Sequence, residues 1–539
     1  MASIGVRPSI YDLQNRYDAG DKLPLENLVR AWAGIQALPV GDLNAFFTLG
    51  GYHGEPFQYR DQVDALSQTD IYAYWGGWCN HGNVLFPTWH RVYVWRLEQA
   101  LQSIVPGVMM PFWDETDAYS LSKGIPSVLT DETFVLDGVA IKNPLRSFVL
   151  PADLSDNLPG DDKIYVKPAG YETVRYPLSG LVGTPEAAAA TAAHNAQYPN
   201  PSENTALLNN NIIAWLHGAG PDTEGPTPDN PNPQGNGIYQ QFQECLFAPN
   251  YTAFSNTTSA AAWNNSNSGT VRPLEAPHND IHLSVGGFDL PGPNGGESGQ
   301  VAGANGDMGE NNTAGLDPIF FFHHCNVDRM FWLWQKKNGY TDNFEIISGY
   351  AGTSSSDAQG PTPGVAPGSS LTMSSPLAPF KKADDSYFTS KDCINIETQL
   401  GFTYGPGSLE NESKRLMLVN GSQRKLKVSG IDRALFQGSF VIRAYADVKN
   451  ADGTLKTVYL GHESVLSRRN VVKCANCLTH LEVQAYFSLN ALTEQQVAHA
   501  TFRVEVQHRG RGIPQAQAPN TQSFAALPKK FTFDTAVVD

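Results

Sequence analysis

Residues 317–335 have the sequence DPIFFFHHCNVDRMFWLWQ, and this stretch decides the fold of the larger part of the chain. It begins with Asp317, a residue type that caps helices, followed by a proline that suits a first helical turn. The long apolar run behind them predicts a helix that is buried on nearly every side. The histidine pair in this run would be buried with it, and a buried imidazole needs a partner, which a metal ion can provide.

Helical phase separates the two histidines of this pair. Adjacent residues on a helix diverge by about 100°, so only one of His323 and His324 points toward a given site. We assign His324 to the site because it shares one stripe of the helix with Phe320 and Asp328. His323 is better explained as a core histidine that is hydrogen-bonded to the backbone.

Another pair of histidines, His278 and His282, lies in the segment PHNDIH (277–282). Residues four apart share one face of a helix, which suits joint ligation of one metal ion. The spacing also arises by chance, so alone it does not distinguish a metal site from a surface pair. Together with the buried His324, it predicts a three-histidine site.

Three more histidines form a second set earlier in the chain. Residues 86–101 have helical apolar spacing and begin with a proline in the first turn, which puts His90 near the start of a helix. His81 is out of phase with that helix and must approach from the glycine-rich segment 76–82. His53 lies in a comparable loop, GGYHG, where glycine permits tight backbone geometry. Neutral imidazole suits copper, zinc, iron and nickel.

Composition narrows the partners of the protein. The net charge of -16 disfavours binding to nucleic acid or to an anionic membrane surface, so we expect a small-molecule substrate. The N-terminal residues have no apolar core of signal-peptide length and no apolar run could span a bilayer, which predicts a cytoplasmic protein. Six cysteines are too few for a disulfide scaffold in a chain of this length. The length of 539 residues predicts two domains.

The last part of the chain has a different pattern. Apolar and polar residues alternate in 439–449 and 455–460, and NADG joins the two runs, which predicts a β-hairpin. Further alternating runs at 479–487 and 501–507 predict a small antiparallel β domain from about Leu416. The polar segment GPGSLENESKR before it predicts an exposed linker.

Three stretches of the sequence resemble a known protein family. CNHGNVLFPTWHR (79–91), HNDIH (278–282) and DPIFFFHHCNVDR (317–329) resemble the type-3 copper proteins, and most closely the fungal tyrosinases. The resemblance implies a mainly α catalytic domain at 1–404, in which a central four-helix bundle surrounds two copper ions. It also implies a cleavable linker at 405–415 and a C-terminal antiparallel β-sandwich that covers the site at 416–539.

The resemblance implies the copper ligands and the reaction. One copper would be bound by the first set of histidines and the other by the second, namely His53, His81 and His90, and His278, His282 and His324. With dioxygen as co-substrate, such an enzyme hydroxylates monophenols at the ortho position and oxidises o-diphenols to o-quinones, for melanin-type pigment. The alternatives are a catechol oxidase without hydroxylase activity, a hemocyanin-like dioxygen carrier, and a zinc hydrolase that would leave four histidines unexplained.

Several neighbours of the histidines match residues with known roles in the family. Cys79 matches a cysteine that forms a thioether to the ligand here numbered His81, the alternative being a buried thiol. Phe320 matches a residue that shields one copper. Glu275 and Asn279 match a pair that holds a water, which would serve as the base for an incoming phenol. Glu275 is also explained as a carboxylate stabilised by a helix N-terminus.

The C-terminal domain is expected to act as an intramolecular inhibitor that an activating protease removes by cleavage near Ser413 to Arg415. Cys474 and Cys477 form a CxxC motif, which would bind Cu(I) for delivery; a redox disulfide and half of a zinc site are the alternatives. Val465 or Leu466 is the expected plug of the copper cleft. Arg7 and Tyr404 are expected to pair where the catalytic domain begins and ends. A homo-oligomer is a further partner that the sequence leaves open.

Overall fold

The structure is a computed structural model. It describes residues 4–54, 77–154, 163–218, 237–267, 270–288, 301, 303–355, 362, 365–366, 368–411, 424–433, 436, 438–449, 453–467, 482–489, 492–508, 521–523 and 534–538.

The helices within these ranges are mostly in the first three-quarters of the chain. They are α1 Ile10–Asp18, α2 Leu23–Gln36, α3 Phe46–Gly51, α4 Phe86–Ile104, α5 Ala118–Lys123, α6 Pro185–Asn195, α7 Pro201–His217, α8 Ile238–Cys245, α9 Tyr251–Ser255, α10 Thr257–Ser266, α11 Glu275–Gly286, α12 Ile319–Asn338 and α13 Glu494–His499.

The strands are concentrated toward the C-terminus. They are β1 Gly5–Arg7, β2 Thr133–Leu136, β3 Val139–Lys142, β4 Pro376–Lys381, β5 Tyr387–Thr389, β6 Phe402–Tyr404, β7 Lys425–Asp432, β8 Phe440–Lys449, β9 Leu455–Val465, β10 Glu482–Ser488, β11 Thr501–His508, β12 Thr521–Ser523 and β13 Asp534–Val538.

Three helices, α4, α11 and α12, form the centre of the catalytic domain. Helix α12 contacts both α4 and α11, while α2 packs on α4 and α7 packs on α11. The two long helices predicted from the sequence, α4 and α12, are both present, and a proline lies in the first turn of α4 as expected. Helix α12 ends at Asn338 and is capped by Gly339, whose positive φ of 75° favours glycine. The predicted mainly α catalytic domain is confirmed.

Aromatic side chains of α12 anchor it in the core, which explains why the helix is buried over most of its length. The ring of Phe322 stacks on Trp32 of α2 with 5.5 Å between centroids. Toward the other end, Trp334 stacks on Phe254 at 4.4 Å. Large apolar rings at both ends bury enough area to hold the helix, and hence His323 and His324, in a fixed position.

The two ends of the catalytic domain meet in a short parallel pairing of β1 with β6, in which Arg7 lies opposite Tyr404. The guanidinium of Arg7 donates to the hydroxyl of Tyr404 at 3.0 Å and forms an ion pair with Glu98 at 2.9 Å. Tyr404 in turn donates to Asp328 on α12 at 2.6 Å. The predicted pairing of Arg7 and Tyr404 is confirmed, and it ties the first and last segments of this domain to the central helices.

The C-terminal domain contains two antiparallel sheets with a shared apolar core. One sheet has the strand order β10-β7-β13 and the other β12-β11-β8-β9. The predicted hairpin is present, because β8 pairs antiparallel with β9 from Lys449–Leu455 to Phe440–Val465. Strand β9 lies against α11, so this domain rests on a helix that carries two of the predicted ligands.

The first half of the predicted linker is anchored to the helical domain, although Pro406, Glu410 and Asn411 are exposed. Ser408 donates from its backbone to Asp114 at 2.7 Å, and Arg329 donates to the carbonyl of Ser408 at 2.7 Å. Leu409 is buried in the catalytic core. Sequence composition did not reveal this anchoring because the partners, Asp114 and Arg329, are distant in sequence. Among the described residues, no helix is long and apolar enough to cross a membrane.

Candidate metal centre

The second set of histidines is carried entirely by two helices. His278 and His282 are on α11, and His324 is on α12. The Nε2 atom of His324 lies 3.2 Å from Nε2 of His278 and 3.3 Å from Nε2 of His282. The Nδ1 atoms of the α11 pair point away, toward the side-chain oxygen of Asn279 at 2.9 Å and the carbonyl of Met308 at 2.9 Å. Three Nε2 atoms therefore converge on one point.

The first set comes from a helix and two loops. His90 is on α4, and its Nδ1 lies 2.8 Å from the carbonyl of Phe86, which leaves Nε2 toward the other histidines. His81 precedes α4, and His53 follows α3. The ring centroids of the three histidines are 5.1–5.6 Å apart. The loop origin that helical phase predicted for His81 and His53 is observed.

The two sets face each other in the interior. The rings of His90 and His324 stack at 4.4 Å, and those of His81 and His278 stack at 5.4 Å. All six side chains are at most 1% exposed. Burial lowers the pKa of His90 to about 3 and holds the pKa of His278, His282 and His324 well below the ordinary value. These four imidazoles are therefore neutral, which is the form that binds metal ions.

His323 has a different partner from the one expected. Its Nδ1 lies 2.5 Å from Oε1 of Glu115 rather than on a backbone carbonyl, and neither side chain is exposed. The expected core position is observed, and Glu115 is a side-chain partner that the sequence did not indicate. Burial lowers the pKa of His323 to about 3 and raises the pKa of Glu115 well above its usual range. One ligand atom of His323 also falls within 4.8 Å of those of His278, His282 and His324.

Phe320 and Cys79 border the histidines as the resemblance implied. The ring of Phe320 is 4.1 Å from that of His324 and 4.6 Å from that of His53, so it contacts both sets. The Sγ atom of Cys79 belongs to a group with ligand nitrogens of His53 and His81, all within 4.8 Å of one another. Cys79 is buried, and the side chain of Asn311 lies 3.6 Å from its sulfur.

Glu275 and Asn279 are both close to the histidines, but each is engaged elsewhere. One carboxylate oxygen of Glu275 accepts from the backbone of Gly82 at 2.8 Å, and the other accepts from Thr257. These donors come from other segments, so the carboxylate does not cap its own helix. Burial raises the pKa of Glu275. Asn279 accepts from His278 and donates to the carbonyl of Ser464 in the C-terminal domain at 3.3 Å.

Comparison with known proteins gives the family. Residues 43–337 match the common central domain of tyrosinase. A tyrosinase of Hahella sp. is 62% identical over 548 residues, which cover 100% of this chain and 99% of that relative. The tyrosinase of Burkholderia thailandensis, solved at low pH, superposes with a TM-score of 0.88 at 62% identity, covering 99% of this chain and 100% of the other. This chain belongs to the tyrosinase family.

A further structure bears on the fold alone. The pro-tyrosinase of Aspergillus oryzae superposes with a TM-score of 0.63 at 19% identity, over 99% of this chain and 93% of that one. It shows that the catalytic core and the C-terminal domain together follow a pro-tyrosinase fold. The expected likeness to the fungal members is too narrow, because the two relatives at 62% identity come from Hahella and Burkholderia.

Membership in the tyrosinase family makes this chain a tyrosinase-type copper oxidase with a binuclear copper site. The residues present suit that metal. Imidazole nitrogens bind copper in both of its oxidation states, and six of them are collected in one buried place. Within the described part of the chain, Nε2 of His90 is buried without a hydrogen-bond partner, as expected of an atom that would hold a metal ion.

The C-terminal domain contacts the ligand-bearing helix through charged groups as well. His462 of β9 lies 3.0 Å from Asp280, which is between the two histidines of α11. Arg272, shortly before α11, forms a partly buried ion pair with Glu463 of β9 at 2.6 Å. Of the two expected plug residues, Leu466 is fully buried in the catalytic core cluster, whereas Val465 belongs to the core of the C-terminal domain.

Two of the regions predicted from the sequence lie outside the described residues, and several residues that contact the site or connect the domains were not predicted. Cys474 and Cys477, and the cleavage region from Ser413 to Arg415, lie outside the described residues. The unexpected residues are those that hold the histidines or connect the two domains: Glu115, Asn311, Arg272, Asp280 and His462. Each acts through a contact between distant segments, and no local spacing or composition marks such a residue.

Proposed function

We propose that this protein hydroxylates monophenols at the ortho position and oxidises o-diphenols to o-quinones with dioxygen, in the formation of melanin-type pigment. In this proposal one copper ion is held by His53, His81 and His90 and the other by His278, His282 and His324. The observation that carries it is the convergence of these six buried imidazoles. When bound, the two copper ions supply one-electron redox changes in a pair, as a two-electron oxidation requires.

The protein's own groups supply positioning and proton transfer. Phe320 contacts histidines of both sets, so its ring excludes water from the space between them. We assign the acceptance of the phenol proton to a water held by Glu275, whose carboxyl is buried and has a raised pKa. Asn279 is its assigned partner. In the closed form the amide of Asn279 is occupied by Ser464, and removal of the C-terminal domain would release it.

We further propose that the enzyme is made latent. Strand β9 contacts α11 at Asn279 and Asp280, and Leu466 enters the catalytic core cluster. An activating protease would cut after the anchored segment that ends near Glu410, consistent with the expected region from Ser413 to Arg415. Cys474 and Cys477 would bind Cu(I) for delivery to the site, since thiolates suit this soft ion.

The decisive experiment compares the copper-loaded full-length chain with the same sample after limited proteolysis. We expect both monophenol hydroxylation and diphenol oxidation to rise by at least about 10-fold on trimming, because the covering contacts are lost. Diphenol oxidation without hydroxylation would indicate a catechol oxidase. Reversible dioxygen binding without any phenol oxidation would indicate a carrier, and one zinc without copper would revive the hydrolase hypothesis.

The interface offers a matched test that needs no protease. Glu463→Gln removes the closer of the two carboxylates that pair with Arg272 and leaves only Glu244 at 3.7 Å, so the partly buried guanidinium is less well compensated and the closed arrangement is destabilised. We expect the full-length variant to oxidise diphenols several-fold faster than the unmodified chain, and the trimmed forms to be equal. Lys456→Gln, an exposed change on the same strand, is the control. Equal rates in all full-length forms would contradict this role of the ion pair.

A further inference from the structure

Helix α12 offers two adjacent histidines to one cluster. His278, His282, His323 and His324 each contribute a ligand nitrogen, and these four atoms lie within 4.8 Å of one another. Proximity therefore does not decide which residue of the pair completes a three-histidine site with the two on α11. A bond made by one of them to another part of the protein would decide it.

Glu115 makes that bond. Its Oε1 lies 2.5 Å from Nδ1 of His323, and its Oε2 accepts from the side chain of Asn326 at 3.2 Å. Both partners are on α12, so the carboxylate is held by two points of one helix. Glu115 and His323 are fully buried, which removes competition from water. Over the described residues, no comparable side-chain bond is seen on Nδ1 of His324, and its Nε2 faces those of His278 and His282.

The contact fixes the ring of His323. Among the described residues, no ring nitrogen of His323 is hydrogen-bonded to a ring nitrogen of His278 or His282, whereas Nε2 of His324 lies 3.2–3.3 Å from both. To act as the ligand, the imidazole of His323 would have to move toward them, and its bond to Glu115 opposes that movement. Loss of a partner by a buried charged or polar group is costly, whereas His324 can bind a metal ion with no such loss. Carboxylates near metal sites usually orient a histidine that ligates the metal. Here the carboxylate holds the neighbouring histidine instead.

We propose that Glu115 is a positioning residue that selects His324 over His323 as the third histidine of the second copper site, by holding the imidazole of His323. This inference rests on the proposed assignment of His278, His282 and His324 to one copper ion. The sequence segment that carries Glu115 lies between α4 and α5, so the choice of ligand on α12 is made by a different part of the fold.

The test is a rescue experiment that measures copper per chain by metal analysis, on the full-length protein loaded with copper. In His324→Ala we expect the copper content to fall from about two to about one per chain, since a ligand is missing while Glu115 retains His323. In Glu115→Ala/His324→Ala the ring of His323 is free to bind, and the content should return toward about two. Adding His323→Ala to this double variant should abolish the gain.

Two further variants keep the result interpretable. Glu115→Gln/His324→Ala keeps a hydrogen-bonding group beside His323, so we expect less recovery of copper than in the alanine version. Glu115→Leu/His323→Leu removes both partners together, which leaves no buried polar group unpaired, and it should retain both copper ions. Circular dichroism of each metal-free variant, compared with the unmodified chain, establishes that it is folded before copper is measured.

The outcomes separate the two proposals. If His324→Ala keeps both copper ions, the proposed ligand set is wrong. If His324→Ala loses one and folded Glu115→Ala/His324→Ala does not regain it, the ligand set stands and the role of Glu115 is wrong. Loss of a copper ion from Glu115→Leu/His323→Leu would also overturn the inference, because His323 would then be a ligand itself.

Discussion

The two sets of histidines are built in different ways. His278, His282 and His324 are all on helices, and their Nε2 atoms meet at 3.2–3.3 Å. In the first set only His90 is on a helix. Its ring centroids are 5.1–5.6 Å apart, compared with 4.5–5.5 Å in the second set. Helices fix side-chain directions by their own hydrogen bonds, whereas loops depend on packing with other segments. The side-chain directions of the second set are therefore fixed mainly by its two helices, whereas those of the first set depend more on packing between loops.

Glycine shows how the loop set is assembled. A Cβ atom added at Gly77 would overlap the carbonyl oxygen of His53, and one added at Gly54 would overlap carbonyls of Asn311 and Asn312. The first close approach brings the segments that carry His53 and His81 together, and the second packs the His53 segment against Asn311 and Asn312. The two sets also differ in their relation to the C-terminal domain, because β9 contacts α11, the helix that carries His278 and His282.

The largest effect is expected from removing a ligand of the helical set. His282→Ala should lower the copper content from about two to about one per chain and reduce phenol oxidation by more than the ~10–100-fold typical of an outer partner of a metal site. The remaining copper should stay in the loop-built set. Metal analysis and a diphenol assay measure both effects. Full activity with both copper ions retained would refute the assignment of His282.

A smaller effect is expected from glycine replacements that strain one set and not the other. Gly77→Ala forces the backbone away from His53 and should weaken copper binding at the first set, as overpacking costs ~1–3 kcal/mol. Gly286→Ala forces the end of α11 away from Gly309, next to the Met308 carbonyl that orients His282, and should weaken the second set. Titration with a copper chelator would resolve the two losses.

The control for this pair is Gly405→Ala, where an added Cβ atom would make only ordinary contact, at 3.4 Å from the carbonyl of Arg7. It should leave the release of both copper ions unchanged. If Gly77→Ala and Gly286→Ala each increased copper release from both sets equally, strain at one set would be transmitted to the other. The proposed difference between the loop-built and helical sets would then be wrong.

The same contrast explains what could be predicted from the sequence. Helices α4 and α12 and the β8–β9 hairpin follow from local periodicity and turn residues, and all three are present. Helical phase also placed His81 and His53 in loops. Local pattern did not indicate that Glu115 holds His323, or that Ser408 in the expected linker is tied to Asp114. Those contacts join distant segments, and only the folded chain brings them together.

The smallest effect is expected at Cys79, which bears on how the loop set is stabilised. We propose that its sulfur forms a thioether with the ring of His81, supported by its place within 4.8 Å of ligand nitrogens of His53 and His81. Forming this bond removes one hydrogen from each residue, so it requires an oxidant, which dioxygen at the copper-loaded site would supply. The intact mass of the unfolded, copper-matured chain should therefore be lower by two hydrogens than its sequence predicts.

Cys79→Ala should show no mass deficit and should retain both copper ions, because imidazole nitrogens alone are the proposed ligands. Without the crosslink, the loop that carries His81 is held by packing only, so we expect copper to leave the first set a few-fold faster while release from the helical set is unchanged. Cys245→Ala, at a buried thiol remote from the histidines in sequence, should change neither the mass deficit nor the release rates. A mass deficit that persists in Cys79→Ala would show that the two hydrogens are lost elsewhere, and the loop set would then rely on packing in the unmodified chain as well.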